Sequence, residues 1–150
     1  MSLPMWLGAK LDFDNRKAGN LLSMENDFHV TLFQGSCRSY DVLRLPSLLK
    51  TIGSGIDNRV EIREVQVMGN PGNKHMCLMV NIDPGLLNLR SYLENDFGIV
   101  NDFSVFRPHI SLGRCPDNAM VGDWFDYIGD ICRIDGWEVI VDDVKKTVDF

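Results

Sequence analysis

Phe28-His29-Val30-Thr31-Leu32-Phe33 and Arg107-Pro108-His109-Ile110-Ser111-Leu112-Gly113 are two copies of one short pattern: histidine, β-branched apolar residue, hydroxyl residue, leucine. In an extended strand, residues i and i+2 share a face. His29 then shares a face with Thr31, and His109 with Ser111, while Val30, Leu32, Ile110 and Leu112 point into a core. If the two strands are neighbours, two imidazoles and two hydroxyls line one groove.

Outward from these strands, the chain alternates strand and helix signals. Trp6 to Phe13 reads as a first strand ending at Asp14-Asn15, and the first histidine strand spans Asp27 to Gln34, stopped by Gly35-Ser36. Ser39 or Asp41 is placed to cap a helix running to Thr51, with Pro46 an awkward residue in its middle. Val60 to Val67 reads as a strand whose phase slips near Glu64, and Gly69 to Asn73 is a turn into a second strand reaching Ile82. Asp83-Pro84 opens a helix that stops at Gly98, with Asp83 as its cap. Pro108 starts the second histidine strand at an edge or bulge, because it lacks an amide donor. A third helix is expected over Asp117 to Asp130, then short strands at 131–135 and 137–141 around Gly136 and a last one from Val144. One histidine strand falls in each half, so the expected fold is one α+β domain, a pseudo-twofold sandwich with a concave sheet.

Composition bounds the partners. A chain of 150 residues with 45% apolar and 24% charged residues is ordinary for a soluble domain. No apolar run approaches a membrane span, and Met1 to Trp6 lacks a basic segment followed by an apolar core, so a cytoplasmic protein without a secretory signal is expected. A net charge of −6 argues against duplex nucleic acid as a partner and leaves room for a small anionic substrate in a locally cationic cleft. Cys37, Cys77, Cys115 and Cys132 have neither zinc-knuckle nor redox spacing and read as buried thiols. The composition says nothing of oligomeric state.

The paired histidine-x-hydroxyl-x stretches resemble those of the 2H phosphoesterases, which include LigT-like RNA cyclic phosphodiesterases. Within that family the chain is most similar to small phage proteins that degrade the cyclic oligonucleotide signals of bacterial CBASS immunity. The likeness lies in Gly8-Ala9-Lys10-Leu11-Asp12, Cys77-Leu78-Met79-Val80-Asn81-Ile82-Asp83, Phe106 to Leu112 and Asp135-Gly136-Trp137-Glu138-Val139-Ile140. It implies two lobes around a cleft with one motif from each, a small cyclic oligonucleotide as substrate, and the cytoplasm of an infected host as the compartment.

The residues themselves point to the same chemistry. Cleaving a 3′–5′ ribonucleotide linkage through its own 2′-hydroxyl needs a base, an acid, and donors for the nonbridging oxygens. His29 and His109 titrate near neutral pH and suit the first pair; Thr31 and Ser111 suit the last. No metal or other cofactor is required. Phe33, in phase with His29 and Thr31, is a candidate for base stacking, as are Trp6 and Tyr40 at the rim; Arg107, in phase with His109, is a candidate for a phosphate contact. Phe106 falls in the core phase; His75, with Cys77 where a hydroxyl would stand, reads first as a strand-end residue and second as a substrate contact, and Arg114 and Lys74 are lesser candidates for a phosphate beside Arg107. The alternatives are a LigT-like enzyme acting on 2′,3′-cyclic phosphate ends or 2′–5′ linkages, and a non-catalytic nucleotide sponge.

Overall fold

The computed structural model describes residues 2–13, 21–25, 27–38, 43–96, 100–101 and 106–149. The candidate Tyr40, the turn at Asp14-Asn15, the caps Ser39 and Asp41, and the stop at Gly98 lie outside the described residues. The fold is α+β and mostly antiparallel. In chain order the elements are β1 (Ser2–Asp12), β2 (His29–Arg38), α1 (Leu45–Gly53), β3 (Arg59–Asn70), β4 (Asn73–Asn81), α2 (Pro84–Asp96), β5 (Val100–Asn101) and β6 (His109–Cys115). A 3-10 helix (Val121–Tyr127), β7 (Ile131–Val141) and β8 (Val144–Asp149) complete it. The strands pair in the order β1-β2-β6-β4-β3-β7-β8, and β1 also pairs with β7, so all but β5 and β8 run in a closed circuit.

The register repeats between two three-stranded groups. In one, β1 pairs with β2 through Gly8↔Thr31, Ala9↔Val30 and Lys10↔His29; in the other, β4 pairs with β6 through Cys77↔Ser111, Leu78↔Ile110 and Met79↔His109. Each histidine strand then carries one unpaired extra residue at the leucine of its motif, since Leu7 pairs with Phe33 and Met76 with Gly113. The outer strands repeat too: Lys10↔Gly136 then Leu11↔Ile134 skips Asp135, and Met79↔Glu64 then Val80↔Ile62 skips Arg63. These are β-bulges at matching places. The groups join at two narrow seams, Val30↔Ile110 between β2 and β6, and Arg59–Glu61 against Ile131–Arg133 between β3 and β7.

Several sequence expectations change in the structure, each for a local reason. Gly35-Ser36 does not end β2, because β5 pairs there through Gly35↔Asn101 and Ser36↔Val100. Helix α1 starts later than expected, with Pro46 in its first turn, where its missing amide breaks no helical bond. The third helix is the 3-10 segment: only Trp124 and Tyr127 are buried within it, three apart, while Phe125 stays exposed, so the three-residue period fits better than 3.6. Gly136 does not split β7. Val148 O lies 2.7 Å from where its Cβ would be, so glycine lets β8 approach and the strand runs on.

Other expectations hold. Asp83 Oδ1 accepts from Gly85 N at 2.8 Å as the cap of α2, and Leu86, Leu89 and Leu93 bury one face of that helix. The phase slip near Glu64 is the bulge at Arg63. All four cysteines are buried thiols outside any disulfide. The core is a single cluster, in which Trp137 is fully buried and its indole donates to Leu49 O of α1 at 2.8 Å. Among the described residues, no helix is long and apolar enough to cross a membrane.

Candidate active site

The Val30↔Ile110 pair fixes how the two motifs meet. Its side chains are buried, at 1% and 0% exposure, so their neighbours along each strand face the other way. Carrying the antiparallel alternation outward from this pair sets Thr31 across from His109 and His29 across from Ser111. All four are half-buried, and His109 is near enough to bear on the charge of His29.

Trp6 organises the first half of this face. Its Nε1 donates to Thr31 Oγ1 at 3.2 Å, and its ring meets that of His29 edge-on at 4.8 Å between centroids. A hydroxyl that accepts from an indole N–H keeps its own hydrogen for another acceptor, so Thr31 is set up to donate into the cleft. The indole fits because Gly8 lies beneath it: a Cβ there would collide with the Trp6 ring. In the second half Cys77 occupies the place of Gly8. Burial pushes its thiol up to about 12, and a hydrogen bond with Ser111 only partly offsets this, so Cys77 stays protonated at neutral pH and is no nucleophile.

Each imidazole is held by the backbone two residues upstream. His109 Nδ1 lies 2.7 Å from Arg107 O, and a carbonyl only accepts, so Nδ1 carries the hydrogen and Nε2 is left for chemistry. His29 is hydrogen-bonded to the backbone of Asp27. Burial nevertheless holds His29 below its ordinary value of 6.5, with His109 adding to the effect and Glu138, Glu25 and the Asp27 bond opposing it. His29 is thus biased toward the neutral form.

A cavity of about 530 Å³ opens beside His29, lined by Trp6, Met24, Glu25, Asp27, His29, Glu138 and Ile140. Glu138 is a buried carboxylate, 8% exposed, paired with Lys145 Nζ at 3.6 Å. Sequence reasoning missed it as a site residue. Its signal was a charge inside the otherwise apolar run Trp137 to Val141. Met24 and Glu25 are brought in by a segment that docks along β6, where Leu22 N donates to Arg114 O at 2.7 Å and Glu25 N to Leu112 O at 3.0 Å.

The other candidates divide. Phe33 is not a stacking residue: the bulge at Leu32 turns it out of phase with Thr31 and into the core, where it is 1% exposed. Arg107 is exposed at the entry to β6, beside His109. Phe106 packs against the core with the Arg90 guanidinium 4.4 Å from its ring centre. His75 lies inside β4 rather than at its end, across from Arg114. Among the described residues, no group of three His, Cys, Asp or Glu is placed to hold a metal ion. Protein-family models give no match to the chain, and no curated protein is similar to it in sequence.

Proposed function

We propose that this chain is a metal-independent phosphodiesterase that opens a 3′–5′ linkage of a small cyclic oligonucleotide through its own 2′-hydroxyl. The observation that carries the reading is the seam at Val30↔Ile110, which brings two histidine-x-hydroxyl stretches of equivalent register onto one face. The same repeat supports a two-lobed 2H phosphoesterase architecture. His29, biased neutral by burial, takes the proton of the 2′-hydroxyl. The 2′ oxygen bonds to phosphorus, the bond from phosphorus to the 5′ oxygen breaks, and the leaving oxygen takes a proton from His109 Nε2. The Arg107 carbonyl accepts from Nδ1 and so leaves Nε2 as the nitrogen that delivers this proton. Thr31 and Ser111 donate to the nonbridging oxygens, where charge develops. The product is a linear chain ending in a 2′,3′-cyclic phosphate, which water opens with the same groups. The resemblance to the phage proteins extends the proposal to removal of CBASS signals.

The test is chromatography of cyclic di- and trinucleotides, 2′,3′-cyclic AMP and a short RNA incubated with the protein in EDTA. Cleavage of the cyclic oligonucleotides is expected. Turnover of only 2′,3′-cyclic AMP or RNA moves the assignment to a LigT-like enzyme, and retention without cleavage to a sponge.

The acid/base assignment predicts a pH profile. Because His29 must be neutral to act and its pKa lies below 6.5, activity is retained below that pH and lost only as His29 protonates. The Glu138 carboxylate raises this pKa, so Glu138→Gln moves the acidic limb of kcat/KM to still lower pH. A limb that moves upward in that variant overturns the assignment of His29 as base.

A further inference from the structure

The register repeat that relates the two histidine strands also relates Trp6 to His75. Each lies two residues before the position facing a motif hydroxyl, Gly8 for Thr31 and Cys77 for Ser111, and so shares that face. The two stand at opposite ends of a diagonal across the four central groups.

Their surroundings differ in charge. Beyond His29, the cavity at Trp6 is lined by Glu25, Asp27 and Glu138, which disfavour a second phosphate there and suit a neutral group rich in donors. His75 is half-buried and sits directly across from Arg114 on β6 and Met68 on β3. Arg114 is exposed, and its Nη2 donates to Gly72 O at 3.2 Å, which anchors the guanidinium while leaving further N–H donors for a ligand. His75 lies roughly 7 Å along the strand from the level of Ser111, on the order of one nucleotide repeat.

We propose that His75 and Arg114 form an anion subsite for a second, non-scissile phosphate of the substrate. It makes the enzyme select molecules with at least two phosphodiesters over 2′,3′-cyclic mononucleotides. This rests on the preceding reading, in which the scissile phosphate lies among His29, Thr31, His109 and Ser111.

The test is steady-state kinetics of the full chain and of His75→Ala, Arg114→Gln and the double variant, on a cyclic dinucleotide and on 2′,3′-cyclic AMP. Asp117→Ala is the control for loosening the β3–β4 turn, because Asp117 Oδ1 accepts from Gly72 N at 2.8 Å. The double variant is expected to raise KM for the cyclic dinucleotide about tenfold and to leave kcat/KM for 2′,3′-cyclic AMP within about twofold. The KM of the unmodified protein for the dinucleotide rises with salt, and that of the double variant rises less. Equal losses on both substrates, no change on either, or an Asp117→Ala variant that reproduces the effect overturns the subsite. If the unmodified protein cleaves neither substrate, the cleavage reading fails first and the subsite falls with it.

Discussion

His109→Ala lowers kcat on a cyclic dinucleotide by about 10²–10⁴ and leaves the melting temperature nearly unchanged. Activity and stability depend on different contacts of this side chain. The side chain lies on the groove face, opposite the buried Ile110, and its hydrogen bond is to the Arg107 carbonyl at 2.7 Å. Removing it opens no core cavity and strands no buried donor, so the stability change should stay within about 0.5 kcal/mol. The activity loss is large because no neighbour can replace it as a proton donor: Thr31 and Ser111 are hydroxyls, and the Cys77 thiol is pushed up to about 12. His29→Ala is expected to lose a similar factor, but it is the less clean variant, since the Trp6 ring that holds Thr31 rests edge-on against His29. Kinetics paired with thermal melts check both halves. A His109→Ala protein that melts normally and keeps activity within threefold of the original would remove His109 from the chemistry.

The histidine strands were legible in the sequence because their signal is local: a period of two, with a hydroxyl in phase with each imidazole. What was illegible was the bulge. At Arg63-Glu64 two consecutive charges break the alternation, so the bulge in β3 shows as a phase slip. At Asp135-Gly136 the same irregularity suggested a gap between two strands, because glycine reads as punctuation when its role is to admit β8. At Leu32-Phe33 both residues are apolar, so alternation gives no warning and a period of two puts Phe33 on the wrong face. The helix expected over 117–130 failed differently: its apolar residues fit a 3.6 period on paper, but the connection from β6 to β7 leaves Met120 and Phe125 exposed. Glu138 and the docking of residues 21–25 on β6 depend on contacts between distant strands, which no local pattern carries.

Each motif ends in a bulge at its leucine, and the residue that follows the second bulge, Gly113, is where a substitution should be felt most. Gly113 has φ +149°, a conformation that side-chain-bearing residues rarely adopt, and a Cβ there would collide with the Ser23 carbonyl oxygen. Gly113→Ala therefore faces about 1–3 kcal/mol of backbone strain. It also pushes away the segment whose Leu22 and Glu25 amides bond to Arg114 O and Leu112 O, at about 0.5–1.5 kcal/mol each. A loss of about 2–6 kcal/mol follows, which for a chain of this size lowers the melting temperature by roughly 4–24 °C. Gly122 is the control: nothing lies within 4 Å of its added Cβ, so Gly122→Ala should melt within about 1–2 °C of the original protein. The displaced segment also carries Met24 and Glu25 into the cavity beside His29, so Gly113→Ala should lose activity even at temperatures where it remains folded. Melting and kinetics at low temperature separate the two effects. Equal melting of the two alanine variants would show that the segment does not depend on the glycine, and normal low-temperature activity in a destabilised Gly113→Ala protein would separate the docked segment from the site.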